Sequence, residues 1–174
     1  SNNMLASFNF QGNSNLITLD ISNNRFKTLK SIPFSLISNL SNLQLNSNPI
    51  ENPNNIFQDL AALINLHYLE AQRINMNSIN PSQFQPFGKL RSLILNDNSI
   101  AKIDAGAFNR LVEIRDIYLG NNQIKELKSS SFAGLSQLSY IDLSNNKIAT
   151  IESGAFRNLS RIDSINLDGN LLTK

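Results

Sequence analysis

The sequence has no cysteine and no tryptophan, and only one histidine, His67, in 174 residues. Without thiols there can be no disulfide, no zinc–thiolate site, no cysteine nucleophile and no redox dithiol, so disulfides cannot report the compartment. One histidine and scattered carboxylates do not assemble a nucleophile, a base and an orienting group. No apolar run is long enough for a membrane-spanning helix, and no secretory leader is recognisable. The net charge of +2 creates no demand for nucleic acid or an anionic membrane. GxGxxG and Walker patterns are missing too, so the Gly-Ala-Phe segments at Gly106 and Gly154 read as turns rather than phosphate loops. The expectation is a chain that is not an enzyme and has no cofactor and no metal. It also carries no membrane insertion in this segment and no nucleic-acid partner.

What the chain does have is self-similarity. Aligned on the first apolar residue, its copies begin at Leu16, Leu40, Leu66, Leu90, Ile114, Leu138 and Ile162. Their spacing is 24 residues, except for 26 between Leu40 and Leu66. Counting from zero, each copy has apolar residues at offsets 0, 3 and 5, Asn at 8 and an apolar residue at 10. Leu90, Leu93, Leu95, Asn98 and Ile100 show this cleanly. Offsets 13, 18 and 21 then take an apolar residue, Phe and an apolar residue, as in Ile103, Phe108 and Leu111. A fixed period of this size means a solenoid, because one unit cannot bury its apolar face alone.

These residues resemble the leucine-rich repeat in its 24-residue form with a phenylalanine in the second half. The resemblance covers nearly the whole chain. It implies an α/β solenoid: a right-handed coil with a parallel β-sheet on the concave face and loops or short turns on the convex face. It also implies recognition rather than catalysis. The repeat class is similar to that of Toll-type receptor ectodomains, insect immune repeat proteins, small matrix proteoglycans and the variable lymphocyte receptors of jawless fish. That similarity implies an extracellular or receptor-ectodomain setting, possible innate immunity among its roles, and leaves a cytoplasmic location open.

Elementary chemistry gives the same picture. Asn24, Asn48, Asn98, Asn122, Asn146 and Asn170 stand where the chain leaves the sheet, and their amides can satisfy backbone groups buried between coils. Phe10, Phe34, Phe84, Phe108, Phe132 and Phe156 form a second ladder. Residues 1–15 read as a partial repeat or an N-terminal edge, with Leu5 and Phe10 at repeat positions. Residues 16–174 read as repeats of a single domain, the last one truncated. The longer second copy holds its extra residues near Pro49 and Pro53, and Leu60 takes the place of its Phe. In the third copy Ile74 replaces the ladder Asn, so nearby backbone groups need another partner, with Asn75 the nearest amide.

Offsets 1, 2, 4, 6 and 7 point to solvent on the concave side. All three tyrosines, Tyr68, Tyr118 and Tyr140, fall there, as does His67. Tyrosine also favours strands for its own sake, but Tyr and Arg are what binding hot spots favour. The expected ligand-binding set is His67, Tyr68, Glu70, Arg73 and Arg91, together with Ile94, Arg115, Tyr118, Tyr140 and Asp142. Arg91 and Arg115 share offset 1 on adjacent strands, and like charges there are unfavourable unless answered. Glu70, Asp116 and Asp142 could answer them internally, or an anionic partner could. Lys27, Lys102, Lys125 and Lys128 lie in the convex half and read as solvated. Sequons at Asn39 and Asn158 are candidate glycosylation sites, although an Asn-rich chain produces two by chance. The function expected is a non-catalytic module that binds a protein or other macromolecular ligand on its concave face. The alternative is an adhesion or assembly segment that forms a homo-oligomer through uncapped ends.

Overall fold

The computed structural model describes residues 10–173. Leu5 and the rest of residues 1–9, including most of the expected N-terminal edge, lie outside the described residues. Seven short strands, one from each copy, form a single parallel sheet: β1 (Thr18–Asp20), β2 (Asn42–Gln44), β3 (Tyr68–Glu70), β5 (Ser92–Ile94), β7 (Asp116–Tyr118), β9 (Tyr140–Asp142) and β11 (Ser164–Asn166). The strands lie in chain order, and each pairs only with the strands of the adjoining copies. This is the expected coil, with right-handed crossovers between parallel neighbours.

Each strand is three residues long because only its middle residue points inward. Leu43, Leu69, Leu93, Ile117 and Ile141 are fully buried, and the residues flanking each of them are half-buried. Side chains alternate along a strand, so an isolated inward leucine forces its two neighbours onto the concave face. After the strand comes a left-handed residue at the same place in successive copies: Asn23, Ser47, Arg73, Asp97, Asn121 and Asn145 all have positive φ, between 52° and 57°. Asn and Asp tolerate this region best, which accounts for most of the column. Arg73 and Ser47 occupy it without that advantage.

The asparagine ladder forms as expected. Asn122 Nδ2 donates to the carbonyls of Leu95 and Leu119, both at 3.0 Å, and its Oδ1 accepts the Ile100 N–H at 2.9 Å. Asn146 repeats the pattern on Leu119, Leu143 and Ile124. Each such group left unpaired in the interior costs about 1–3 kcal/mol, so one amide per coil secures several otherwise expensive groups.

The third copy departs from what the sequence suggests. Ile74 is fully buried, and its N–H finds the ladder amide of the following coil: Asn98 Oδ1 accepts it at 3.1 Å in addition to the Met76 N–H, the latter being the bond each ladder Asn makes to the coil before it. Asn98 Nδ2 also reaches the Ala71 carbonyl at 2.9 Å. Asn75 is solvent-exposed and makes no side-chain hydrogen bond among the described residues. On the other side of the break, the Ile50 N–H turns back onto the Asn48 carbonyl at 2.8 Å.

The aromatic ladder stacks from Phe84 through Phe108 and Phe132 to Phe156, with ring centroids 5.7–5.9 Å apart. In the second copy the ring comes from Phe57, not from the position of Leu60. Phe57 sits in the short helix α1 (Ile56–Asp59) and meets Phe84 edge-on at 5.0 Å. Leu60 is buried beside it. The extra residues of this copy form a 3-10 turn at Pro53–Asn55 leading into α1, which swings an aromatic residue into a gap the strand-based alignment gives to leucine. Four two-residue strands add two small parallel pairs beyond the main sheet. These are β4 (Ser78–Ile79) with β6 (Lys102–Ile103), and β8 (Glu126–Leu127) with β10 (Thr150–Ile151).

Candidate functional site

The strand register sorts the concave side chains into two straight rows. One runs Thr18, Asn42, Tyr68, Ser92, Asp116, Tyr140, Ser164, and the other Asp20, Gln44, Glu70, Ile94, Tyr118, Asp142, Asn166. Neither row contains a lysine or arginine, whereas together they hold four carboxylates and all three tyrosines of the chain. Strand backbone fixes these positions, so the rows present a pre-ordered surface.

Tyr118 and Tyr140 come together on the fifth and sixth of its seven strands. They lie on adjacent strands in different rows, with ring centroids 5.3 Å apart and planes tilted by 52°. The register pairs Asp116 with Tyr140 and Tyr118 with Asp142. The four side chains therefore form a checkerboard, with the aromatics on one diagonal and the carboxylates on the other. Burial raises the Tyr118 phenol above its ordinary range, reinforced by the charges of Asp116 and Asp142. Burial also raises the Asp116 carboxyl, against the lowering effect of Arg115. Asp142 Oδ1 accepts the Ser144 N–H at 3.0 Å. Gly120 gives that carboxylate room: a Cβ there would lie 2.7 Å from Asp142 Oδ2.

Tyr68 belongs to a separate group two strands away. Its hydroxyl donates to Glu70 Oε2 at 3.1 Å, and the Gln72 side-chain amide donates to Glu70 Oε1. Burial, then the adjacent Glu70 charge, pushes the Tyr68 phenol up to about 12. Ile94 stands between Glu70 and Tyr118 in its row and links the two groups.

The arginines lie at the margins. Arg91 does not turn to Glu70, Asp116 or Asp142. Its Nε and Nη2 both reach Glu113 Oε2 at 3.4 Å. Arg73 donates to Asp97 Oδ2 at 2.8 Å, while Asn121 holds the other oxygen of Asp97 at 2.8 Å. His67 Nδ1 lies 3.2 Å from Ser41 Oγ. Among the described residues, Arg115 has no ion-pair or side-chain hydrogen-bond partner, and its exposed guanidinium borders a shallow depression with Gln137, Ser139, Arg161 and Asp163. No group of three or more His, Asp or Glu residues among the described residues could hold a metal ion, and no helix there is long and apolar enough to cross a membrane.

A family model described as "Leucine rich repeat" matches residues 64–124 and 113–172. The chain belongs to the leucine-rich repeat family. Residues 1–78 match a second model, "BspA type Leucine rich repeat region (6 copies)". Comparison with curated proteins finds no match. Among solved structures, a crystal structure of a TLR13–ssRNA13 complex superposes with a TM-score of 0.88 at 30% sequence identity. The match covers 95% of this chain but 23% of the other, so the chain spans less than a quarter of that receptor structure's length.

Leucine-rich repeat geometry explains which site residues sequence reasoning finds and which it misses. Positions on the strand follow from the period. Glu113 does not, because it precedes its strand and meets Arg91 only through the stacking of coils. Gly120 and Asp97 were also missed; their spacing to Asp142 and Arg73 by about one coil is the signal that could have found them. Both sequon asparagines are exposed and lie off the two rows. Asn39 donates to the Ser14 carbonyl at 3.0 Å, and Asn158 takes a left-handed backbone with φ 63°. Three of the four convex lysines are engaged locally: Lys27 with Glu51 at 3.0 Å, Lys102 with Asp104 at 2.6 Å and Lys128 with Glu126 at 3.2 Å, while Lys125 is exposed.

Proposed function

We propose that this segment is a non-catalytic recognition module that binds a protein ligand on its concave sheet, within an extracellular, immune-type repeat protein. The observation that carries this reading is the Tyr118–Tyr140 pair, held by strand backbone and flanked by Ile94, Asp116 and Asp142. Aromatic side chains on pre-ordered backbone supply contact area with little further ordering on binding. His67, Tyr68, Glu70, Arg73, Arg91 and Arg115 extend the same face on one side of this pair. Extracellular exposure would make Asn39 and Asn158 accessible to glycosylation, which intact mass after expression in a secretory host reads directly.

The likeness to a receptor solved with single-stranded RNA favours a nucleic-acid ligand as the second reading. The two rows speak against it, because they offer carboxylates and no cation to a phosphate backbone. Self-association, the structural alternative, is read by sedimentation over a range of concentrations.

The deciding experiment is a selection of displayed protein domains on the immobilised chain, followed by binding measurements on variants of matched stability. Tyr118→Ala is expected to cost about 2 kcal/mol of binding free energy, and Lys128→Ala close to nothing. Binders that need Lys128 and ignore Tyr118 would place recognition on the convex side and sink the concave-face reading.

A further inference from the structure

The checkerboard on β7 and β9 specifies a ligand chemistry. We infer that Asp116, Tyr118, Tyr140 and Asp142 form a subsite for one arginine or lysine side chain of a protein partner. The inference rests on the concave-face reading and names what that face takes at the Tyr118–Tyr140 pair.

Charge is the first argument. Neither carboxylate takes part in an ion pair among the described residues. The row neighbours, Ser92, Ile94, Ser164 and Asn166, are all uncharged. Arg115 adjoins Asp116 in sequence and lowers its pKa, but it lies outside both rows and within neither carboxylate's ion-pair reach. Two carboxylates on one small patch repel each other, and a cation placed between them relieves that repulsion.

The rings are the second argument. Aromatic faces attract cations, and rings grouped around a charged head are a recurrent way of recognising it. Here two rings at 5.3 Å occupy the opposite diagonal, so a cation lying over the centre meets aromatic surface and carboxylate together. Arginine can in addition donate two hydrogen bonds to a carboxylate while its plane lies against a ring.

Orientation is the third. Asp142 is fixed at one oxygen by the Ser144 N–H, while its other oxygen, Oδ2, accepts no hydrogen bond from the described residues and projects into the space that Gly120 leaves. A carboxylate held at one oxygen and open at the other is ready to accept a donor from outside the chain.

The test uses a random peptide library displayed on phage, panned on the intact chain at low ionic strength and screened for clones that lose binding to Tyr118→Ala. The inference expects each such clone to carry an arginine or lysine whose replacement abolishes binding. It also expects the double variant Asp116→Asn/Asp142→Asn to bind these clones at least about tenfold more weakly, with the loss shrinking at high salt. The amides keep the shape of the carboxylates and can still accept the Ser144 N–H, so the fold survives; thermal unfolding checks this. Direct readout is available as well, because the chain has three tyrosines and no tryptophan, and two of the three line the subsite. Binding should therefore change intrinsic tyrosine fluorescence in the wild type and less in the double amide.

Clones that depend on Tyr118, lack any basic residue and bind the double amide equally well would overturn the cationic subsite and leave the concave-face reading standing. A selection yielding no Tyr118-dependent clone overturns both. A single-stranded RNA oligonucleotide that binds the wild type, and binds the double amide more tightly, assigns the face to an anionic ligand and also overturns both. Concentration-dependent dimerisation abolished by the double amide gives the cation to a second copy of this chain and overturns the separate partner.

Discussion

Asn98 Oδ1 accepts the backbone N–H of Ile74 at 3.1 Å, a bond added to those that each ladder Asn makes to the coil before it. The bonding here is uneven. Ile74 and Met76 are bonded to Asn98, whereas among the described residues the N–H groups of Arg73 and Asn75 lack the bonds between coils that their counterparts Asp97 and Ser99 make to Gly120 and Met76. Amide exchange should therefore alternate along this stretch: slow at Ile74 and Met76, fast at Arg73 and Asn75, and slow again at Asp97 and Ser99. Uniform protection from Gln72 to Met76 would show that another acceptor serves Arg73 and Asn75.

The phenylalanine ladder predicts a large and localised stability loss. Phe108 is buried between Phe84 at 5.8 Å and Phe132 at 5.7 Å, with near-parallel rings on both sides. Phe108→Ala should cost about 3–5 kcal/mol in urea unfolding, because the rings above and below cannot close the gap. A loss under about 1 kcal/mol would show that the coils collapse onto the cavity.

Tyr68 gives the chain an alkaline signature. The folded protein holds its phenol up to about 12, against an ordinary value of 10.0. Between those two values the unfolded chain has released a proton that the folded chain retains, so stability present below pH 10 falls as pH rises through this window. Ultraviolet titration should show Tyr68 ionising last, with Tyr118 also displaced upward. In Glu70→Gln the Tyr68 midpoint should move part of the way back, with the effect of burial remaining. A midpoint unchanged by Glu70→Gln would mean the carboxylate contributes nothing.

Gly120→Ala probes how firmly the Asp142 carboxylate is held. The added methyl would meet Asp142 Oδ2 at 2.7 Å and Ser144 Oγ at 3.1 Å, both ends of movable side chains rather than backbone. Asp142 should rotate and release the Ser144 N–H, which then exchanges faster, while stability changes by less than about 1 kcal/mol. A large stability loss with the Ser144 amide unmoved would mean that the backbone yields instead.

Much of this was legible before any coordinates. The inward leucines, the asparagine ladder and the two concave rows follow from a period of 24 residues combined with strand alternation, and each is where those rules put it. The failures share a cause. Phe57 entered the ring ladder because the two additional residues of the second copy reorganised its return path, and no alignment by strand starts captures that. Asn98 serving Ile74, and Glu113 meeting Arg91, are contacts between residues more than 20 apart on different coils. Linear spacing names the residue at each level of the coil but not which level its side chain reaches.

The strictly neighbour-to-neighbour sheet has a kinetic consequence. Strand partners are separated by one coil at every step, as between Tyr68 and Ser92 or Asp116 and Tyr140. The entropy lost on closing a loop depends on the length of that loop, and here the partners are 24 residues apart at every step but one, and 26 at that one. Once two adjoining coils have formed, each further coil adds at a roughly constant entropic cost, and growth can proceed in both directions from wherever it starts. The regular copies around Asn122 and Asn146 are the natural starting point, and the coil holding Ile74, which offers no ladder amide to the coil before it, is the natural place for growth to pause.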